Sequence, residues 1–154
     1  MPESLQPGAS QPTQDERTMA LLAHMLQIVA WWIAPLVIFL IRRESRFTAF
    51  HALQALVLQA VYLVLMGVGV VSFFATFFLV MMAHAPAARN APALPALFLL
   101  GPLFWLGAMG LWVAVLTIAV VYGIKAGRGE WAEYPVLGPI ALKMLKLRPG
   151  GVPL

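Results

Sequence analysis

The chain has 154 residues, 62% of them hydrophobic and only 10% charged, against about 45–50% and about 25% in an ordinary globular domain. No charge falls in residues 18–41, 47–88 or 90–124, and a membrane span needs only about 20 apolar residues. A water-soluble fold and a nucleic-acid reader are thereby excluded; the lack of cysteine excludes disulfides, thiol catalysis and Cys-ligated metal centres.

Residues 1–17 carry Pro2, Pro7, Gly8 and Pro12 among several Gln and Ser, too little apolar surface to offset chain entropy, so a disordered polar tail is expected. The tail is acidic (Glu3, Asp15, Glu16), and the apolar stretch after it ends in Arg42 and Arg43. That order reads as a retained anchor rather than a signal peptide. The first apolar block, 19–41, would measure about 35 Å as a helix, enough to cross a bilayer with some tilt. Asp15 or Thr18 is placed to cap it.

The second block, 50–82, would be about 48 Å long, so its first turns belong to the headgroup region. The third, 94–124, is divided by Gly101-Pro102, where proline favours a kink or break. Residues 136–147 are too short to cross. Their Lys143 and Lys146 share one sector of a helical wheel, and Gly138-Pro139 offers a helix start, which predicts a basic interfacial helix on an anionic inner leaflet. The fold class is therefore an all-α integral membrane protein. It has three transmembrane helices, the second and third long or broken, and a C-terminal interfacial amphipathic helix. The domain plan is a tail at 1–17, a transmembrane domain at 18–135, and a basic helix and tail at 136–154.

Three spans place Arg42, Arg43, Arg46, Lys125, Arg128, Lys143, Lys146 and Arg148 on one side, with only Arg17 and Arg89 on the other. The positive-inside rule then predicts an N-terminus outside and a C-terminus in the cytoplasm of a bacterial inner membrane. The loop 83–93 would be external. Trp31, Trp32 and Trp112 lie away from the interfaces where tryptophan concentrates, so one of the pair is expected to face the bundle near Trp112.

Histidines 24, 51 and 84 do not suggest a metal site. Three spans would separate His24 and His51 by roughly 25 Å in depth, too far for an ion ligated at about 2 Å. His24 is the one ionisable candidate within a span. No catalytic residue, metal or cofactor is expected. The second block does carry a polar stripe: Thr48, His51, Gln54, Gln59, Tyr62, Ser72 and Thr76 fall within an arc of about 140°. Such groups turn toward partner helices or a watery cavity. Small residues at Gly110/Ala114 and Gly123/Gly127 suit close helix packing.

Three segments carry a resemblance. Residues 15–24 open the first span as Asp-Glu-Arg-Thr-Met-Ala-Leu-Leu-Ala-His; residues 46–56 open the second and contain His51-x-x-Gln54-Ala55; residues 125–135 contain Gly129-Glu130 and Tyr134-Pro135. This order resembles the bacterial membrane family related to the twenty-kilodalton subunit of the chloroplast inner-envelope import translocon. The resemblance implies a small helical membrane protein, an accessory or channel-like part of a protein-handling assembly.

Two functions follow as expectations. One is a non-enzymatic membrane accessory or scaffold protein, linked to translocation or membrane assembly, that binds a membrane-protein partner, a second copy or anionic lipid, and no nucleic acid. The other is a small oligomeric channel or transporter protomer lined by the stripe. In either case the segments 42–51 and 125–135 emerge on one face. Glu130 or Glu133 is expected to pair with an arginine of 42–46, and Tyr134 or a backbone carbonyl to bond His51 or Gln54.

Overall fold

The computed structural model describes residues 11–84 and 93–153, with side chains from 83 to 98 left out of the description. The expectations for residues 1–10, His84 and the loop 85–92 lie outside the described residues. The helices are α1 (Gln14–Ala30), α2 (Ile33–Ile41), α3 (Arg46–His84), α4 (Ala93–Gly127) and α5 (Gly138–Met144). Two short antiparallel strands follow, β1 (Leu147–Arg148) and β2 (Val152–Pro153). The chain divides into two compact units: residues 1–60 with 116–154, and Val61–Val115.

In the first unit α1 begins earlier than the apolar block does. Thr13 caps it through a reciprocal box, its hydroxyl accepting from the Glu16 N–H and the Glu16 carboxylate accepting from the Thr13 N–H at 2.7 Å. The polar residues 14–17 are therefore helix, not tail. At the other end the helix stops abruptly: Trp31 holds φ +51°, ψ −133°, a conformation a bulky L-residue adopts only under constraint. The chain then turns into α2.

This break overturns the first expected span. Residues 19–41 form two helices, and their outer ends meet. Arg42, just past α2, pairs with Asp15 in the first turn of α1 at 2.9 Å. Ser45 donates its hydroxyl hydrogen to Glu16 at 2.7 Å. The segment is a hairpin that closes on itself, so among the described residues 19–41 is not one continuous helix and residues 15–17 lie beside 42–45.

Two helices are long and apolar enough to cross a membrane, Arg46–Met82 and Leu99–Gly127. At 39 and 35 residues, α3 and α4 would measure about 58 and 52 Å. The expected division at Gly101-Pro102 does not occur, and α4 runs through Pro102 unbroken. A membrane helix tolerates proline where neighbours or local adjustment re-satisfy the freed carbonyl.

The expected interfacial helix over 136–147 is also shorter. Only Gly138–Met144 is helical, and the chain then doubles back through β1 and β2. Ala141, Leu142 and Leu147 are buried against Phe50 and Leu53 of α3, so the apolar side of α5 packs on the first unit while Lys143 and Lys146 remain exposed.

Two further small clusters hold this unit: Ala20 with Phe47 and Ala126, and Ala23 with Ile38 and Ala52. Gly123 allows α4 to approach α1, since a Cβ there would strike Met25 and come within 3.2 Å of the His24 Cβ. In the second unit Phe73 stacks on Phe104 at 4.8 Å, and a Cβ on Gly69 would lie 3.6 Å from the same ring. Its outer faces are apolar and exposed, as at Val64, Val71 and Leu103. Trp31, Trp32 and Trp112 are each about half exposed, at 56%, 44% and 50%. Trp31 and Trp32 sit at the hairpin turn of the first unit, and Trp112 belongs to the second.

Candidate functional site, a buried polar chain

Beside its apolar clusters the first unit buries a set of polar side chains and leaves large apolar ones exposed. Its interior holds His24, Gln27, Thr48, His51, Gln54 and Gln59, all at most 7% exposed, while Val29 and Ile41 are 83% and 70% exposed. On α1 the buried residues Ala20, Ala23, His24 and Gln27 follow the spacing of one helix face. Thr48, His51, Gln54 and Gln59 enter from α3.

The two histidines meet because α1 and α3 both start at the polar end of the hairpin. His24 Nε2 and His51 Nδ1 are 3.2 Å apart. The separation expected from three spans is wrong for that reason alone. Their tautomers follow from hydrogen-bond accounting. His51 Nε2 lies 3.1 Å from the Glu130 carbonyl oxygen, which can only accept, so this nitrogen carries the hydrogen. In a neutral ring Nδ1 is then the acceptor, and His24 must donate from Nε2. That leaves His24 Nδ1 to accept from the Tyr134 hydroxyl at 2.9 Å. One polarised chain of bonds runs from Tyr134 through His24 and His51 to the backbone of Glu130.

Gln54 fastens the same loop. Its Nε2 donates to the Ala132 carbonyl at 3.1 Å, and its Oε1 accepts from the Tyr134 N–H at 2.7 Å. Aromatic rings seal the cluster: Phe47 and Phe50 contact His51 edge-on at 4.6 and 5.2 Å, Trp131 covers both phenylalanines, and Tyr122 stands against Tyr134 at 4.4 Å. Burial pushes the Tyr134 phenol well above its ordinary pKa, so it stays a hydroxyl donor. The Gln59 amide donates to the Gln27 backbone carbonyl at 3.1 Å. The Gln27 side-chain amide is buried near the Tyr134 hydroxyl without meeting hydrogen-bond geometry.

The remaining sequence candidates divide. His24, His51, Gln54, Gln59 and Tyr134 come together here. The loop does lie over the start of α3, but through backbone atoms of residues 130–134. Neither Glu130 nor Glu133 pairs with an arginine; Arg42 takes Asp15 instead, and that is the ion pair among the described residues. The hairpin supplies Arg42 with a carboxylate from the acidic first turn of α1. Arg43 and Arg46 are exposed, as are the Glu130 side chain and Pro135. Tyr62 belongs to the second unit. Ser72 and Thr76 are exposed residues of that second unit. Gln27 was missed, although it lies one turn beyond His24 on the same face.

A model of the magnetosome magnetite crystal formation protein family matches residues 15–141. The chain belongs to that family. This match replaces the translocon-related family suggested by the three motifs, and with it the link to protein translocation. No curated protein and no solved structure matches the chain significantly. The match begins at Asp15, the hairpin's ion-pairing residue, and ends at Ala141 of α5, so it covers every residue of the polar chain. The family and the two long apolar helices make this an integral membrane protein of a magnetosome family.

Proposed function

We propose that the chain is a non-enzymatic accessory protein of the magnetosome membrane that takes part in magnetite crystal formation by presenting a fixed polar surface at one end of its apolar helices. The observation that carries this reading is the use made of the chemical side chains. His24, His51, Gln54 and Tyr134 bond one another and the backbone of residues 130–134. Their atoms set the shape of a loop, and the exposed charges beside it (Arg43, Arg46, Arg128, Glu130) are left for a partner, a second copy or anionic lipid. The competing reading, a conduit lined by the stripe of α3, loses support from the same bonds, since Thr48, His51, Gln54 and Gln59 are occupied within the first unit.

The test is replacement of the chain in a magnetite-forming cell by a His51→Ala/Gln54→Ala variant, with membrane abundance measured alongside. Altered crystal size or number at unchanged abundance supports a surface held by the polar chain. Normal crystals in cells lacking the protein altogether would remove it from crystal formation.

A further inference from the structure

We propose that the α1–α2 hairpin is a re-entrant anchor, entering the acyl chains of a single leaflet and returning to the side from which it came. The proposal rests on membrane residence and not on any role in crystal formation, so the two can fail separately.

The two ends of the hairpin are tied at one level. Asp15 and Arg42 are 2.9 Å apart, Ser45 bonds Glu16 at 2.7 Å, and the Thr48 hydroxyl donates to the Glu16 carbonyl at 3.4 Å. A helix crossing from 15 to 42 would hold these groups about 40 Å apart. Between them the chain reverses at Trp31 and Trp32. The arms have 17 and 9 residues, about 25 and 14 Å, each shorter than a hydrocarbon core of about 30 Å. The hairpin enters and does not emerge.

Its surface identifies the occupant. Inward, α1 presents His24 and Gln27, at 0% and 1% exposure; outward and at the turn stand Val29 at 83%, Trp31 at 56%, Ile33 at 54% and Leu40 at 57%. Polar inside and apolar outside is the arrangement that acyl chains favour and water opposes. The closed base carries the opposite chemistry: Asp15, Arg42, Arg43 and Arg46 suit headgroups. Charge distribution adds an independent argument. Closing the hairpin gathers Arg17 with Arg42, Arg43, Arg46, Lys125, Arg128, Lys143, Lys146 and Arg148 in one unit of the chain, the clustering of basic residues that one membrane face favours.

The absence of cysteine makes the test direct. Single variants Gln14→Cys, Glu44→Cys and Trp31→Cys, each at an exposed position, are reconstituted in phosphatidylcholine/phosphatidylglycerol vesicles. Each is then treated with a membrane-impermeant maleimide from outside, before and after lysis. The expected result is that positions 14 and 44 react from the same side, and that position 31 is silent from both sides until detergent is added. Reaction of 14 and 44 from opposite sides restores a crossing helix and overturns the proposal. Reaction of position 31 in intact vesicles, from either side, overturns it too, because the turn would then lie in water. Glu44→Cys and Gln14→Cys replace exposed polar residues, so their labelling remains readable if Trp31→Cys is poorly folded. For the turn, quenching of tryptophan by bromine-labelled acyl chains in a variant carrying only Trp31 and Trp32 gives the same decision.

Discussion

His24 Nε2 faces His51 Nδ1 across 3.2 Å, and only one hydrogen fits between them. The direction of that bond is fixed by the Glu130 carbonyl, which can only accept from His51 Nε2, and it in turn makes His24 Nδ1 the acceptor of the Tyr134 hydroxyl. Removing either ring leaves a buried group without its partner. His24→Ala and His51→Ala should each cost about 1–3 kcal/mol, and the double variant should cost less than their sum, with a coupling of about 0.5–3 kcal/mol. Thermal unfolding in mild detergent measures all three; strict additivity would mean that the bonds do not act as one chain.

Gln54 makes two bonds of opposite sense to the same loop, so two substitutions separate them. Gln54→Glu keeps an acceptor for the Tyr134 N–H but loses the donor to Ala132 and buries a charge. Gln54→Leu loses both bonds without a charge. Hydrogen exchange at Tyr134 should accelerate in both, and the glutamate variant should be the less stable.

The Gln27 amide is buried and unpartnered. Its desolvation is uncompensated, so Gln27→Leu should stabilise the protein by about 1 kcal/mol or leave it unchanged. A loss of several degrees in melting temperature would show that the amide has a partner in the folded membrane protein.

Two ionisable groups give opposite pH limits. The Ser45 hydroxyl and the Thr13 N–H hold the Glu16 carboxyl below its ordinary 4.5. Its contribution is therefore complete above about pH 4.5 and is lost as pH falls through the lowered value; α1 should fray from its capped end in acid, and Ser45→Ala should weaken that dependence. Tyr134 is raised above its ordinary 10.0 by burial. Its contribution is complete below pH 10 and is lost as pH climbs toward the raised value. Tyr134→Phe should abolish the alkaline limb of the stability profile while leaving the acid limb in place.

Glycines of one helix should respond differently. A methyl group at Gly123 would strike Met25 and crowd His24, whereas at Gly107 it meets nothing within 4 Å. Gly123→Ala should destabilise the first unit, and Gly107→Ala should be neutral or better, since alanine favours helix by about 1 kcal/mol. Melting temperatures of the pair decide it.

The membrane class was legible in the sequence because three uncharged stretches have no other physical home. The meeting of residues 42–51 with 125–135 was legible too, from the even number of passages between them. What was hidden is the reversal at Trp31. An apolar block carries no polar punctuation to mark a turn, and the usual signals, glycine or asparagine, are absent from 31–32. That one omission misplaced His24 by most of a membrane thickness and assigned Arg42 to the wrong carboxylate. The family was misread for a related reason: short motifs around spans say more about helix packing than about lineage. The chemistry of Gln54 toward a backbone segment could not be seen either, because it depends on a loop with no periodicity.

The closed hairpin also bears on how the chain enters a bilayer. Had residues 11–17 crossed, Asp15, Glu16 and Arg17 would each have been carried through hydrocarbon, where a charged side chain costs about 2.5–3.5 kcal/mol at the centre of a helix. With Asp15 bonded to Arg42, the re-entrant hairpin proposed above keeps these charges together at its base and spares them that passage.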